Sequence, residues 1–501
     1  MYVFRVGCLG LDDCGGLCLF QGEKRKACAE MRCCQSLASK SPAIKPNACR
    51  KGESSGPIVR KRAMKLPASF KEFASCRSTQ VIEASNGARC VVCPNDGSPF
   101  AYIFAAVRTG VRYEDREEWG ASHFLEHVAM RGTEKFPALH DLSRCAEGIG
   151  GQISAYSTRD LTAYWVRVPS GLEALGFELL QQVLFKPLLT QQSIDSEREI
   201  IIHERQRELA DYGIFVSHAV ESLLLAPNPM SRPPVGDDAG LAKMDSAYLR
   251  AFHQRIYNRS NLVIIGCGNL SDDFAKCADD FWQSVPYGSL IKPANFLIES
   301  EYPDGSVILK SSGPEEQAFV SMGWRFPVLT HKDLLTWRVI NTLLGAGYSS
   351  LFNLELREKN SLTYTCRTAI NVYDGMGVFK LYLSAHVKEL PKVISIVEDI
   401  IASLASNSLD ENIFNEAVMR HAAGVVSRWS NPCETAPLLG HSLSRDGVVF
   451  DFAGYLNGLE KVSKARAAEL ASKWLNPVDR LVCLSGSAEE LKTLFPNTYQ
   501  F

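Results

Sequence analysis

The sequence lacks any long apolar segment: nowhere do its 501 residues contain the roughly 20 consecutive apolar residues that a bilayer-spanning helix requires. This absence excludes a transmembrane helical anchor. The composition, 46% hydrophobic and 22% charged, is instead typical of a globular protein. A chain of this length exceeds one ordinary domain, so we expect two or three segments.

The cysteines lack the regular pair-and-pair spacing of a zinc finger or zinc ribbon. Ten of the 16 cysteines fall at or before Cys93, and nothing in their arrangement specifies a metal site or a disulfide framework. Cys90 and Cys93 lie in an apparent strand, where residues three apart point to opposite faces, so they are predicted to be two separate buried thiols. Cysteine usage indicates an intracellular protein.

A strong net charge is also absent, because two opposite charges nearly cancel. Residues 1–70 carry a formal charge of +8 and the remainder carries −10, which together give −2. The residues after 70, called here the acidic body, would repel the phosphates of a nucleic acid, so no nucleic-acid partner is expected. The basic, serine-rich extension at 1–70 predicts a disordered or targeting segment, although Asp12, Asp13 and its cysteines fit a mitochondrial presequence poorly. A translation start at Met64 would equally explain the extension.

The most informative segment is the run His123-Phe-Leu-Glu126-His127, which has the form H-x-x-E-H. On an α-helix, residues four apart lie one above the other, so His123 and His127 can offer ring nitrogens to one metal ion. Glu126 falls close to the same face. This order of residues is the inverted zincin signature. An isolated run of this form could also be a solvated helix face, so the zinc assignment depends on further ligands.

A catalytic zinc ion usually takes three protein ligands and a water molecule, so a third ligand is expected elsewhere. The candidate is Glu204, within a strongly helical stretch that also contains Glu197. The two glutamates are seven residues apart, or about two helical turns, so both carboxylates point the same way. One can bind the metal while the other supports the site.

Two halves of the chain are related by a faint internal repeat. Segments 257–266 and 475–486 are each a turn followed by an apolar strand. The second-half counterpart of the metal-binding helix, at 336–344, has neither histidine, so the first half alone can hold this zinc ion. Proline and glycine mark 283–293 as the natural linker. The predicted domains are a zinc-binding domain at 71–285, a linker at 286–300 and a homologous domain without zinc at 301–501.

The predicted fold class is α+β. Predicted strands at 101–106, 163–168 and 262–266 alternate with long predicted helices at 171–186 and 193–211. This alternation favours an α/β sandwich in each half, with helices packed on a largely antiparallel sheet.

Several motifs together resemble those of the pitrilysin/insulinase family of zinc metallopeptidases, closest to the β-type mitochondrial processing peptidase and its bacterial homologues. The resemblance covers residues 75–490. Its motifs are the H-x-x-E-H run with Gly132-Thr133, the segment 153–162, the pair Glu197 and Glu204, and the segments 345–352 and 356–364.

The resemblance implies a role for each matching residue. The implied zinc ligands are His123, His127 and Glu204, with Glu126 as general base and Glu197 as an auxiliary catalytic carboxylate. Arg357 and Tyr364 match a pair that reaches from the second domain toward the substrate. Ser154 and Ala155 match the strand beside the bound peptide, although relatives commonly have asparagine at the position of Ser154.

The implied function is that of a zinc metalloendopeptidase, with one Zn²⁺ per chain, acting on presequences or short unfolded peptides. Two alternatives stay open: a non-catalytic scaffold subunit of the same fold, and a general oligopeptide-degrading peptidase. The acidic body favours basic peptides over acidic ones.

The resemblance also implies a dimer. The family's enclosure is a clamshell built from four such domains, and this chain has two of them, so one chain forms half of the clamshell. The partner is a second copy or a homologous subunit. An edge strand near 153–156 is expected to pair with an extended peptide. The implied compartment is the cytoplasm of a bacterium or the mitochondrial matrix of a eukaryote.

Overall fold

The computed structural model describes residues 64–293, 305–310, 316–328, 330–373, 375–486, 488–495 and 499–500. The predicted N-terminal extension up to residue 63 and the linker segment 294–300 lie outside the described residues. Within the described part of the chain, no helix has the length and apolar character needed to span a membrane.

The first sheet has six strands in the order β1-β2-β6-β3-β5-β4. These strands are β1 (Gln80–Glu83), β2 (Arg89–Pro94), β3 (Phe100–Val107), β4 (Gln152–Ser157), β5 (Thr162–Pro169) and β6 (Leu262–Gly268). The pair β2 and β6 is parallel and the other pairs are antiparallel. The predicted strands at 101–106, 163–168 and 262–266 are thereby confirmed as β3, β5 and β6.

The second sheet repeats this arrangement, in the order β12-β7-β11-β8-β10-β9. Its strands are β7 (Gly305–Lys310), β8 (Gln317–Pro327), β9 (Thr363–Tyr373), β10 (Met376–His386), β11 (Leu481–Ser485) and β12 (Tyr499–Gln500). The run β7-β11-β8-β10-β9 matches β2-β6-β3-β5-β4 in chain order and in strand direction. The predicted α+β fold class, with two like units, is confirmed.

Helices cover both sheets, and the predicted helices at 171–186 and 193–211 are confirmed as α4 and α5. The helices are α1 (Ala68–Cys76), α2 (Ala121–Ala129), α3 (Leu139–Gly148), α4 (Glu173–Phe185), α5 (Gln191–Ala210), α6 (Tyr212–Leu225), α7 (Asp238–Leu241), α8 (Ser246–Ile256), α9 (Phe274–Ser284), α10 (His331–Leu344), α11 (Leu390–Ala405), α12 (Glu411–Ser430), α13 (Pro432–Asp446), α14 (Phe452–Leu459), α15 (Lys464–Trp474) and α16 (Ala488–Leu494). A π-helix spans Asn353–Lys359.

Each sheet is covered on one face by a helix from the other half of the chain. Helix α6 packs on the second sheet, where Val220 and Leu224 share a core with Val378 of β10. Helix α13 packs in return on β3 and β6 of the first sheet. Because helices lie on both faces, β6 is buried along its whole length, which explains its continuous apolar sequence.

The thiols of β2 follow the strand geometry. Cys90 is buried in the core of the first half, and Cys93 lies against Cys267 of β6 on the opposite face. Both are buried and free of disulfides, as the sequence predicts.

A buried ionic cluster fastens α6 to the second sheet. Glu221 of α6 is 1% exposed, and its Oε2 lies 2.9 Å from Lys380 Nζ of β10. Its Oε1 accepts hydrogen bonds from Asn371 Nδ2, at 2.7 Å, and from the Tyr373 hydroxyl. Burial by itself raises the pKa of Glu221, but the charges of Lys380 and Arg159 outweigh it and hold the pKa well below its ordinary value.

Replacing Glu221 by glutamine should destabilise the protein by about 3–5 kcal/mol, because the half-buried cations Lys380 and Arg159 would lose the carboxylate that neutralises them. The free energy of unfolding at neutral pH, measured by chemical denaturation, checks this. Glu460→Gln is the control: it breaks a partly exposed pair with Lys71 and should cost no more than about 1 kcal/mol. Equal losses in the two variants would contradict the prediction.

Candidate metal centre

Helix α2 carries the H-x-x-E-H run as predicted. Its apolar residues Phe124, Leu125 and Val128 are buried in the core of the first half, as expected for one face of a helix that follows a buried strand. The two histidines are half-buried on the neighbouring face, facing α5. The helix begins after Gly120 and ends at Ala129.

The two imidazole rings converge on one point. His123 Nε2 and His127 Nε2 are 3.2 Å apart, close to the roughly 3.3 Å edge of a tetrahedron with metal–nitrogen bonds of about 2.0–2.1 Å. Glu204 Oε2 of α5 lies 3.7 Å from His127 Nε2. Two imidazoles and a carboxylate are a donor set that zinc accepts, so these three residues fit the implied metal.

Glu126 belongs to the same cluster. One ligand atom from each of His123, Glu126 and His127 lies within 4.8 Å of the others. The Glu126 side chain is buried, and Ser157 Oγ donates a hydrogen bond to its Oε2 at 3.4 Å. Burial raises the pKa of Glu126, while the neighbouring His127 opposes that rise. Two carboxylates, Glu204 and Glu126, thus lie near the two histidines. Zinc needs only one of them as its third protein ligand, which leaves the other for a different role.

Glu197 and Glu204 approach opposite nitrogens of the same imidazole. Glu197 Oε2 accepts a hydrogen bond from His127 Nδ1 at 2.9 Å, and Glu197 Oε1 pairs with Arg131. A proton held on Nδ1 leaves Nε2 as the free donor for a metal. The seven-residue spacing on α5 thus brings both carboxylates to His127, and Glu197 is placed to orient the ring.

The strand that carries Ser154 and Ala155 lies at the edge of the first sheet. Strand β4 pairs with β5, with Ser154 opposite Trp165 and Ala155 opposite Tyr164, and it lies against α2. The predicted edge strand near 153–156 is confirmed. Its outer side offers backbone groups that can pair with an added strand.

Arg357 and Tyr364 are brought together with each other. The Arg357 guanidinium carbon lies 5.2 Å from the ring centroids of both Tyr364 and Tyr348. Tyr364 is 80% exposed and Tyr348 64% exposed.

Three neighbours of the predicted site residues were not predicted from the sequence: Ser157, Tyr348 and Asn353. Ser157 and Tyr348 lie inside the motifs 153–162 and 345–352, so these motifs could have indicated both residues. Buried Asn353 donates through Nδ2 to the carbonyl oxygens of Gly345, Gly347 and Cys366, which fixes the glycine-rich turn on the π-helix that carries Arg357.

Comparison with known proteins agrees with this architecture. The family model for Insulinase (Peptidase family M16) matches residues 90–234, and the model for the Peptidase M16 inactive domain matches residues 243–420. Fold and sequence both place the chain in the M16 class, with the H-x-x-E-H run in the first half. The chain belongs to the pitrilysin/insulinase family, peptidase family M16.

The relatives include zinc proteases and a respiratory subunit. An uncharacterised zinc protease of Mycobacterium leprae is 23% identical over 372 residues, which are 74% of this chain and 83% of the relative. The mitochondrial cytochrome b-c1 complex subunit 1 of Rattus norvegicus is 23% identical over 456 residues, 87% of this chain and 92% of that protein.

Solved structures share the fold. A protease from Helicobacter pylori superposes with a TM-score of 0.74 at 16% identity, covering 82% of this chain and 99% of that one. A peptidase M16 inactive domain from Pseudomonas fluorescens gives a TM-score of 0.71 at 18% identity, covering 82% and 98%.

Replacing Glu197 by glutamine should weaken zinc binding about 10- to 100-fold, because His127 loses the carboxylate that orients its ring. Titration of the zinc-free protein against a competing chelator measures the change. Glu199→Gln, on the exposed face of the same helix, is the matched control and should bind zinc like the wild type. Unchanged affinity in Glu197→Gln would refute the orienting role.

Proposed function

We propose that the chain is a zinc-dependent metalloendopeptidase that binds one Zn²⁺ through His123, His127 and Glu204. The observation that carries the proposal is the pair of Nε2 atoms 3.2 Å apart, with Glu204 Oε2 at 3.7 Å from one of them. The zinc-protease names of relatives such as the Mycobacterium leprae protein support the same metal.

Glu126 is the proposed general base. When bound, zinc supplies Lewis acidity toward a peptide carbonyl and lowers the pKa of water to about 7. Ser157 Oγ donates to Glu126 Oε2, so Oε1 is the atom that takes the proton from the attacking water and returns it to the leaving amine. Glu197 orients His127 and has no direct part in the proton transfer.

The proposed substrate is an extended peptide, either a presequence or another short unfolded segment. Edge strand β4 would align it by backbone hydrogen bonds, with Ser154 and Ala155 beside it. Arg357 and Tyr364 would contact the peptide from the second half. The acidic charge of the body after residue 70 favours basic peptides.

The proposed working form is a dimer with a second copy or with a homologous subunit, in which two chains complete a clamshell. Within each chain, we propose domain boundaries at 71–285 and 301–501, with a linker at 286–300. Helix α9 ends at Ser284, which agrees with the first boundary. The exchange of α6 and α13 makes the two domains interdependent.

A second candidate is a non-catalytic scaffold subunit, which the similarity to the cytochrome b-c1 complex subunit 1 favours. The cluster of His123, Glu126 and His127, with Glu204 Oε2 3.7 Å from His127 Nε2, argues for the peptidase instead, because a scaffold needs none of these side chains. A general oligopeptide-degrading peptidase would use the same site and would differ in cleaving many unrelated sequences.

The purified full chain should contain about one zinc ion and should cleave a basic presequence peptide in a chelator-sensitive manner. Glu126→Gln should keep its zinc, since His123, His127 and Glu204 remain, and should lose about 10²- to 10⁴-fold in kcat. Elemental analysis and peptide cleavage followed by mass spectrometry measure the two quantities.

Glu134→Gln, an exposed change on the loop after α2, serves as the control and should keep both zinc and activity. Undiminished cleavage by Glu126→Gln would sink the assignment of the base. A folded, zinc-free wild type without cleavage would favour the scaffold.

A further inference from the structure

The N-terminus of α2 is capped by a side chain from outside the helix. Gly120 occupies the N-cap position and has no side chain to accept the free backbone N–H groups of the first turn. Glu114, six residues earlier, takes this role: its Oε2 accepts from Gly120 N at 2.9 Å and its Oε1 from Ser122 N at 2.8 Å. Ser122 immediately precedes His123.

Further polar contacts hold the same turn. Ser122 Oγ accepts a hydrogen bond from Gly110 N at 2.8 Å and lies 2.7 Å from Thr109 Oγ1, in the loop that follows β3. Arg232 Nη2 donates to the Glu114 carbonyl oxygen at 3.0 Å. Glu114 is therefore bonded through its carboxylate to α2 and through its backbone carbonyl to Arg232, and the residue is 2% exposed.

We propose that Glu114 is a positioning residue for the metal centre, which fixes the helical turn that carries His123. The two zinc-site histidines then have separate supports. Glu197 orients the ring of His127 from α5, and Glu114 sets the backbone beneath His123. This inference rests on the proposed zinc site.

The burial of its carboxylate distinguishes Glu114 from an ordinary, exposed capping residue. Both of its oxygens accept backbone N–H groups, which is the bonding pattern of an ionised carboxylate. Burial nevertheless raises the pKa of Glu114 to about 7, against the opposing hydrogen bonds from Ser122 and Gly120. Because the folded-state pKa lies above the unfolded one, Glu114 weakens folding as the pH rises toward neutrality. The geometry carries the inference, because the carboxylate accepts the backbone N–H of Ser122, the residue that immediately precedes His123.

The test compares zinc affinity with stability in the full chain. Glu114→Gln places an amide donor against backbone donors and removes the negative charge, so we expect its zinc dissociation constant to rise at least about 10-fold. The melting temperature of the zinc-free protein is measured alongside. Glu173→Gln is the matched control: Glu173 is 1% exposed and accepts two hydrogen bonds from Ser271, at 3.0 and 2.8 Å, on α4.

The control should bind zinc within about twofold of the wild type, whatever its loss of stability. Glu114→Asp keeps the charge on a shorter side chain and should have an intermediate affinity, and it decides the question if Glu114→Gln does not fold. Wild-type affinity in the Glu114 variants, or equal weakening in Glu173→Gln, would overturn the inference alone. A wild type that binds no zinc would instead remove the proposed function, and this inference with it.

Discussion

The placement of helix α2 is the constraint on which the candidate metal centre depends. The helix has nine residues, and helices shorter than about 12–15 residues are marginal on their own. Its position is therefore imposed by neighbours: apolar residues fix one face in the core, and buried carboxylates reach it from other segments. Glu197 meets it from α5, and Glu114 meets it from the preceding loop.

Each sheet is covered by a helix from the other half of the chain. The second half, which lacks the histidine pair, therefore helps to position the candidate metal centre. Helix α5, which carries Glu197 and Glu204, ends at Ala210, and α6 begins at Tyr212 and packs on the second sheet. The Glu221 cluster anchors α6 there. The carboxylates of the candidate metal centre are thus connected, through α5 and α6, to the half that carries Arg357 and Tyr364.

Much of the fold could be predicted because its signals are local. The apolar run of β3 and the strongly helical stretch of α5 indicate their elements directly, and the repeat of segments anticipates two like sheets. Ser157, Glu114 and Glu221 were not predicted as neighbours of the site or of the domain interface. Their partners lie between 6 and 159 residues away, and no spacing rule links them.

The sequence by itself determined the side chains that can form the candidate metal centre, namely two histidines four residues apart and two glutamates seven apart, because helical periodicity fixes the direction of each side chain about the helix axis. Only the tertiary structure decided that α5 lies beside α2, that Glu197 meets Nδ1 and Glu204 approaches Nε2 of His127, and that β4 forms the sheet edge next to them. These relations depend on how the apolar faces of separate elements pack, which periodicity within one element does not encode.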